Sequence, residues 1–290
     1  MMILFFLHNH SSKMIRRLRL GACITLLIGC SHQPQREVRN DYIVDHSYSY
    51  STKQGIDSAR FLVLHYTALN DQNSLQILTG GNVSAHYLIP SRPEYENKEP
   101  VIFQLVSENE KAWHAGTSGW RGYKSLNSNS IGIEIVNCGF KQHFIKKEWC
   151  LYHPSQIDAL IRLVKDIIQR YQIEAVNVVG HSDIAPLRKK DPGPVFPWQA
   201  LYQQGIGAWP DLITVNKYLA NRVPSMPVPV IGIQKALALY GYSIPQTGHL
   251  DEDTHKIIQA FQMHFRPSDI SGVPDAETEA IVLALVEKYK

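Results

Sequence analysis

Two histidines, His65 and His181, each follow an apolar run: Phe61-Leu62-Val63-Leu64 before the first, and Val176 to Val179 with Gly180 before the second. Ten residues beyond the second lies Asp191, inside Asp191-Pro192-Gly193-Pro194. Proline at 192 biases residue 191 toward an extended backbone, and the second proline stiffens the turn. Two imidazoles and one rigidly presented carboxylate are the ligand types of a catalytic zinc centre, which keeps a fourth position for water. Asp183 competes for the third place, because His181 and Asp183 would share one face of an extended segment. A histidine at a strand end can equally be a hydrogen-bonded structural residue, and 13 histidines make chance pairs easy to find. Glu134 is harder to set aside. Within Ile131 to Val136 the isoleucines at 131, 133 and 135 share one face, while Gly132, Glu134 and Val136 share the other. A carboxylate in so apolar a strand is costly unless it is paired, metal-linked or functional. Lys189, in Arg188-Lys189-Lys190, would alone pass for a solvated basic turn, yet it directly precedes the Asp191 turn.

Such groups need strands to carry them, and the carboxyl ends of strands in α/β sheets are where sites usually lie. Strands are expected at 61–64, 86–89, 101–106, 131–135 and 176–179, from their short apolar runs. Asn73 to Thr79 makes a short helix stopped by Gly80-Gly81. From Pro154 to Tyr171 the positions Ile157, Leu160, Ile161, Val164, Ile168 and Tyr171 mark one helical face. The alternation predicts an α/β domain over 56–220, with a mixed central sheet flanked by helices. Pro224, Pro227 and Pro229 predict a stiff linker at 221–229. Helical patterns at 230–240, 253–265 and 275–289 then predict a small three-helix domain over 230–290, with Asp275 as an N-cap.

The chain has 290 residues, 44% of them hydrophobic and 19% charged, enough to bury a core of about two folded units. Its net charge of +3 belongs to the N-terminus. Residues 1–29 hold Lys13, Arg16, Arg17 and Arg19 and no acid; 29 basic residues less these four leaves 25 against 26 acids, or −1. Arg16-Arg17-Leu18-Arg19, a ten-residue apolar stretch and then Leu27-Ile28-Gly29-Cys30 read as a lipoprotein signal, with Met14 an alternative start. Acylation of Cys30 would anchor the protein in the outer membrane, facing the periplasm, without a spanning helix. The polar residues 30–55 read as a tether. Cys138 and Cys150 are then left to pair in an oxidising compartment or to stay as buried thiols. The near-neutral mature chain, with no basic patch interleaved with aromatics, gives no reason to expect nucleic acid. A monomer is the default.

Several segments occur in an order that carries a specific resemblance: Leu64-His65-Tyr66-Thr67-Ala68, Ser84-Ala85-His86-Tyr87, Ala112-Trp113-His114-Ala115-Gly116, Ser130-Ile131-Gly132-Ile133-Glu134, Gly180-His181-Ser182-Asp183-Ile184-Ala185-Pro186 and Lys189-Lys190-Asp191-Pro192-Gly193-Pro194. Together they resemble the zinc-dependent N-acetylmuramoyl-L-alanine amidases, the family related to phage lysozyme amidases and animal peptidoglycan recognition proteins. The resemblance implies that family's α/β fold, and zinc held by His65, His181 and Asp191 rather than Asp183. It implies catalytic roles for Glu134 as general base and Lys189 at the oxyanion. It also implies a peptidoglycan or muropeptide substrate, bordered by His86, Trp113, His114 and Asn129. Gly248-His249-Leu250-Asp251, Thr254 and Ala260-Phe261-Gln262 resemble a peptidoglycan-binding three-helix module. Two other readings compete: a non-catalytic peptidoglycan binder, which in this superfamily has lost a zinc ligand, and a zinc peptidase cutting within stem peptides. All three ligand positions are filled, and the H-E-x-x-H signature of many zinc peptidases is absent.

Overall fold

A computed structural model describes residues 35–144 and 147–290. The signal segment at 1–29, Cys30 and the first residues of the expected tether lie outside the described residues. In chain order the strands are β1 (Arg36–Arg39), β2 (Tyr42–Asp45), β3 (Phe61–Tyr66), β4 (Tyr87–Ile89), β5 (Tyr95–Glu96), β6 (Glu99–Gln104), β7 (Gly119–Trp120), β8 (Tyr123–Lys124), β9 (Ser130–Ile135), β10 (Phe140–Gln142), β11 (Lys147–Trp149) and β12 (Val178–Gly180). The helices are α1 (Asp71–Thr79), α2 (Pro154–Tyr171), α3 (His181–Ile184), α4 (Trp198–Gln203), α5 (Leu212–Leu219), α6 (Val230–Tyr240), α7 (Glu252–Phe265) and α8 (Ala276–Tyr289).

Eight strands form the mixed sheet that the alternating pattern predicts, in the order β1-β2-β6-β4-β9-β3-β12, with β5 on the flank of β6. Neighbours from β4 through β9 and β3 to β12 run parallel, so their carboxyl ends meet along one edge. Side chains alternate as the strand period requires. Leu62 and Leu64 of β3 and the three isoleucines of β9 face α2, whose Leu160, Leu163 and Ile167 are fully buried against them. Burying each such side chain stabilises the fold by roughly 2 kcal/mol. Pro154 begins α2, and His153 with Gln156 closes a capping box at its start. Phe61 and Val63 face the other way, into a cluster shared with Trp120, Leu237, Phe261 and Leu285.

Two expectations are corrected here. Residues 36–45 do not continue a tether: β1 and β2 pair with each other, and β2 pairs with β6. Tyr42, Ile43 and Val44 are buried, so this short apolar run outweighs its polar flanks. The prolines at 224–229 do not separate two bodies either. The Val228 N–H donates to Pro274 O, the Ala276 N–H donates to Met226 O, and Pro227 bridges to Asp275. The segment is thus tied to the start of α8, and α6 to α8 share one apolar cluster with β3. Among the described residues no helix is long and apolar enough to cross a membrane.

Candidate active site

The sheet register assembles the site. His65 in β3 stands beside Glu134 in β9, and Leu64 beside Gly180 in β12, so His181 emerges next to His65. Both His65 and Glu134 project from the face opposite α2, as the isoleucine pattern requires. Gly180 is needed for close approach: a Cβ there would lie 2.6 Å from Pro192 Cδ, in the turn that carries Asp191. A backbone bond from Ser182 N–H to Asp191 O, 2.8 Å, fixes that turn against α3.

His65 Nδ1, His181 Nδ1 and Asp191 Oδ2 form a triangle with sides of 2.9, 3.0 and 3.1 Å. Two ligands at zinc distance and tetrahedral angle sit about 3.3 Å apart, so the triangle is close to the size a zinc site needs. The hydrogen bonds behind it show what these atoms offer. His181 Nε2 faces the Ala115 carbonyl at 3.2 Å and the Arg188 guanidinium at 3.4 Å; in the tautomer that donates to the nearer carbonyl, Nδ1 presents a lone pair to the triangle. On the other side, the Ser130 hydroxyl donates to Leu126 O and leaves its oxygen facing His114 Nε2. His114 Nε2 therefore donates, its Nδ1 accepts from His65 Nε2 at 3.0 Å, and His65 Nδ1 is bare. Burial lowers the His65 pKa to about 4, and His181 beside it acts in the same direction, so the imidazole is a neutral ligand. Burial opposes charge on Asp191, yet the two imidazoles more than offset this and hold its carboxylate well below the usual range. Two lone pairs and a carboxylate oxygen so close together repel unless a cation lies among them. The donor set fits zinc.

Glu134 Oε2 is buried and accepts no hydrogen bond among the described residues. Burial raises the Glu134 pKa to about 8; Asp191 adds to the rise and Lys189 opposes it. A divalent cation at the triangle would draw that value down again. Both Glu134 and Lys189 line a cavity of about 220 Å³, together with Tyr66, Leu69, Ile77, Val83, Trp113, His181 and Asp191. A larger depression of about 610 Å³, between α1 and the β2–β6 side of the sheet, contains none of these groups.

Comparison with known proteins accords with this geometry. A family model described as N-acetylmuramoyl-L-alanine amidase matches residues 55–194, and a peptidoglycan binding domain model matches residues 228–282. The chain is 47% identical over 274 residues to N-acetylmuramoyl-L-alanine amidase AmiD of Escherichia coli (strain K12), spanning 93% of this chain and 97% of that protein. The chain belongs to the N-acetylmuramoyl-L-alanine amidase family. A structure of Escherichia coli AmiD in complex with its substrate anhydro-N-acetylmuramic acid-L-Ala-D-gamma-Glu-L-Lys superposes on the amidase with a TM-score of 0.78 at 48% identity, covering 89% of this chain and 99% of that one. AmpDh3 from Pseudomonas aeruginosa superposes at 0.72 with 45% identity, covering 87% and 99%.

In the amidase, the residues expected to border the substrate separate into two groups. Trp113 is 40% exposed at the cavity, with Lys111 Nζ 4.2 Å from its ring centre, so it can meet a ligand. His114 also lines the cavity, but its ring nitrogens are engaged by His65 and Ser130. Those bonds hold it against His65. His86 is corrected outright: it is fully buried, its Nε2 donates to Glu110 O and its Nδ1 accepts from the Gly132 N–H. Asn129 lies just before β9, five residues from Glu134 and about 16 Å along the strand, so it does not reach the cavity. Asp183 is not a ligand. His181 to Ile184 is helical, so residues 181 and 183 point about 200° apart instead of sharing a face. Sequence reasoning passed over Ser130, Asn127 and Arg188. Asn127 Oδ1 accepts from the His114 and Ala115 N–H groups, and Arg188 donates to the Ala115 and Thr117 carbonyls. Ser130 opens the segment that ends at Glu134 and Arg188 precedes Lys189, but their residue types gave no sign of these contacts, and Asn127 lies outside the quoted segments. Gly132 also has a role: a Cβ there would lie 2.4 Å from the His114 ring. Cys138 and Cys150 are joined by a disulfide that closes the β10–β11 hairpin.

Proposed function

We propose that this amidase is zinc-dependent and cleaves the amide between the lactyl group of N-acetylmuramic acid and L-alanine, in muropeptides that include anhydro-muramyl forms. The observation that carries the reading is the His65, His181 and Asp191 triangle opening onto a cavity that also holds the bare Oε2 of Glu134. The substrate bound by Escherichia coli AmiD supports the anhydro-muramyl assignment. Zinc held by the three ligands supplies a Lewis acid for the scissile carbonyl and makes water at the site more acidic. Glu134 takes the proton of the attacking water on Oε2 and delivers it to the leaving amine nitrogen. Lys189 donates to the oxygen on which negative charge develops. Trp113 offers an apolar face to the substrate at the rim.

The lipoprotein reading extends the proposal: acylated Cys30 holds the enzyme at the outer membrane on its periplasmic side. The Cys138–Cys150 disulfide supports an oxidising compartment. Fractionation of cells carrying Cys30→Ser tests this, with release from the membrane expected. For the chemistry, zinc analysis and mass spectrometry of digested muropeptide decide together. One zinc per chain and an intact stem peptide are expected. Shortened stems would identify a peptidase and overturn the reading.

A further inference from the structure

The side of α3 turned away from the triangle is gripped by the C-terminal helices. Asp183 is 1% exposed, and both its oxygens are engaged. Oδ2 accepts from the Gly180 N–H at 2.7 Å and faces His264 Nδ1 at 2.8 Å, while Oδ1 accepts from the Tyr242 hydroxyl at 2.5 Å. A carboxylate only accepts, so His264 Nδ1 carries the hydrogen. Tyr242 follows α6 and His264 lies in α7. Neither donor is free to swing: the Tyr242 ring packs edge-on against Trp120 and Phe261, and the His264 ring stacks on Trp198 at 3.8 Å. At four residues, α3 cannot hold its own shape, since a single turn fixes more backbone than its hydrogen bonds repay. Its place is set by β12 before it, by the Asp191 carbonyl on Ser182, and by these two donors.

Building on the zinc reading above, we propose that Tyr242 and His264 are positioning residues for the metal centre: through Asp183 they fix α3, and with it the Nδ1 of His181. The C-terminal helices then complete the catalytic site from behind, whether or not they also contact the wall. Apolar packing could join the two parts without them. The buried carboxylate and its two donors place polar, directional bonds within two residues of a ligand, where orientation matters most.

The test is the zinc dissociation constant of the full chain, measured by chelator competition, beside the thermal midpoint of the metal-free protein. The unsubstituted protein comes first; failure to take up zinc there would overturn the zinc reading rather than this one. Partners behind a metal ligand usually alter affinity 10- to 100-fold, so Tyr242→Phe with His264→Phe, which keeps both rings, should weaken zinc binding about tenfold. Tyr242→Phe alone loses only a hydroxyl, leaves His264 on Asp183, and should weaken zinc binding by less than the double variant. His264→Asn, whose amide places an N–H near the site of Nδ1, should stay within about twofold of the unsubstituted protein if orientation is the cause. Unchanged zinc affinity in the double variant overturns the proposal, and so does a lower midpoint without a change in affinity.

Discussion

Glu134 and Glu108 are both withdrawn from water, and the regions around them treat the charge in opposite ways. Beside the end of α2, Glu108 accepts from the Tyr87 and Tyr171 hydroxyls and from two nitrogens of Arg170. Burial disfavours its charge, but the Arg170 pairing prevails and holds its pKa below the ordinary carboxylate range. At the carboxyl end of β9, Glu134 has among the described residues neither a cation in contact nor a donor on Oε2, and its pKa moves up to about 8. A structural carboxylate is saturated by its surroundings; one that must exchange protons is left under-satisfied. The difference separates a charge fully bonded at one end of the sheet from one left available where the parallel strands end.

Substitutions can break that contrast. Glu134→Gln should lower kcat about a thousandfold while one zinc per chain is retained, measured on a purified muropeptide. Near-normal turnover would remove Glu134 from the reaction. Lys189→Ala should cost about a hundredfold in kcat with KM little changed. Glu108→Gln should leave kcat intact but lower unfolding stability by about 2 kcal/mol in denaturant titration, because a buried pair loses its charge. A matching loss of activity per folded molecule would dissolve the distinction between the two regions. The smallest effect concerns pH. Neutral Glu134 favours the folded metal-free protein below an unfolded value of 4.5, and this contribution fades as pH rises toward 8. Between pH 6.5 and 8 the metal-free protein should therefore lose up to about 1.4 kcal/mol per unit from this group. Glu134→Gln should flatten that slope.

Much of the site was legible because its parts sit at the ends of apolar runs. His65, Glu134 and His181 are chemically conspicuous there, and the parallel register does the rest. The fold was legible for the same reason: β9, α2 and α6 fall where periodicity predicts. What escaped was direction. His86 and His114 look like cleft residues in the sequence, but one is sealed between backbone groups and the other stands behind His65. Extended and helical readings of 181–184 send Asp183 to opposite sides, and four residues carry no period to choose between them. At 36–45, three apolar residues were too few to outweigh polar neighbours until the edge of β6 was there to receive them. The prolines near 224 suggest a spacer because their stiffness is local, while their hydrogen-bonded partners lie some fifty residues away.

Gly132 has no side chain with which to touch His65 or His181. Yet the His114 ring lies where its Cβ would be, and that ring holds the hydrogen of His65. A single methyl at 132 would press on His114 and, through it, be felt at His65 two side chains away.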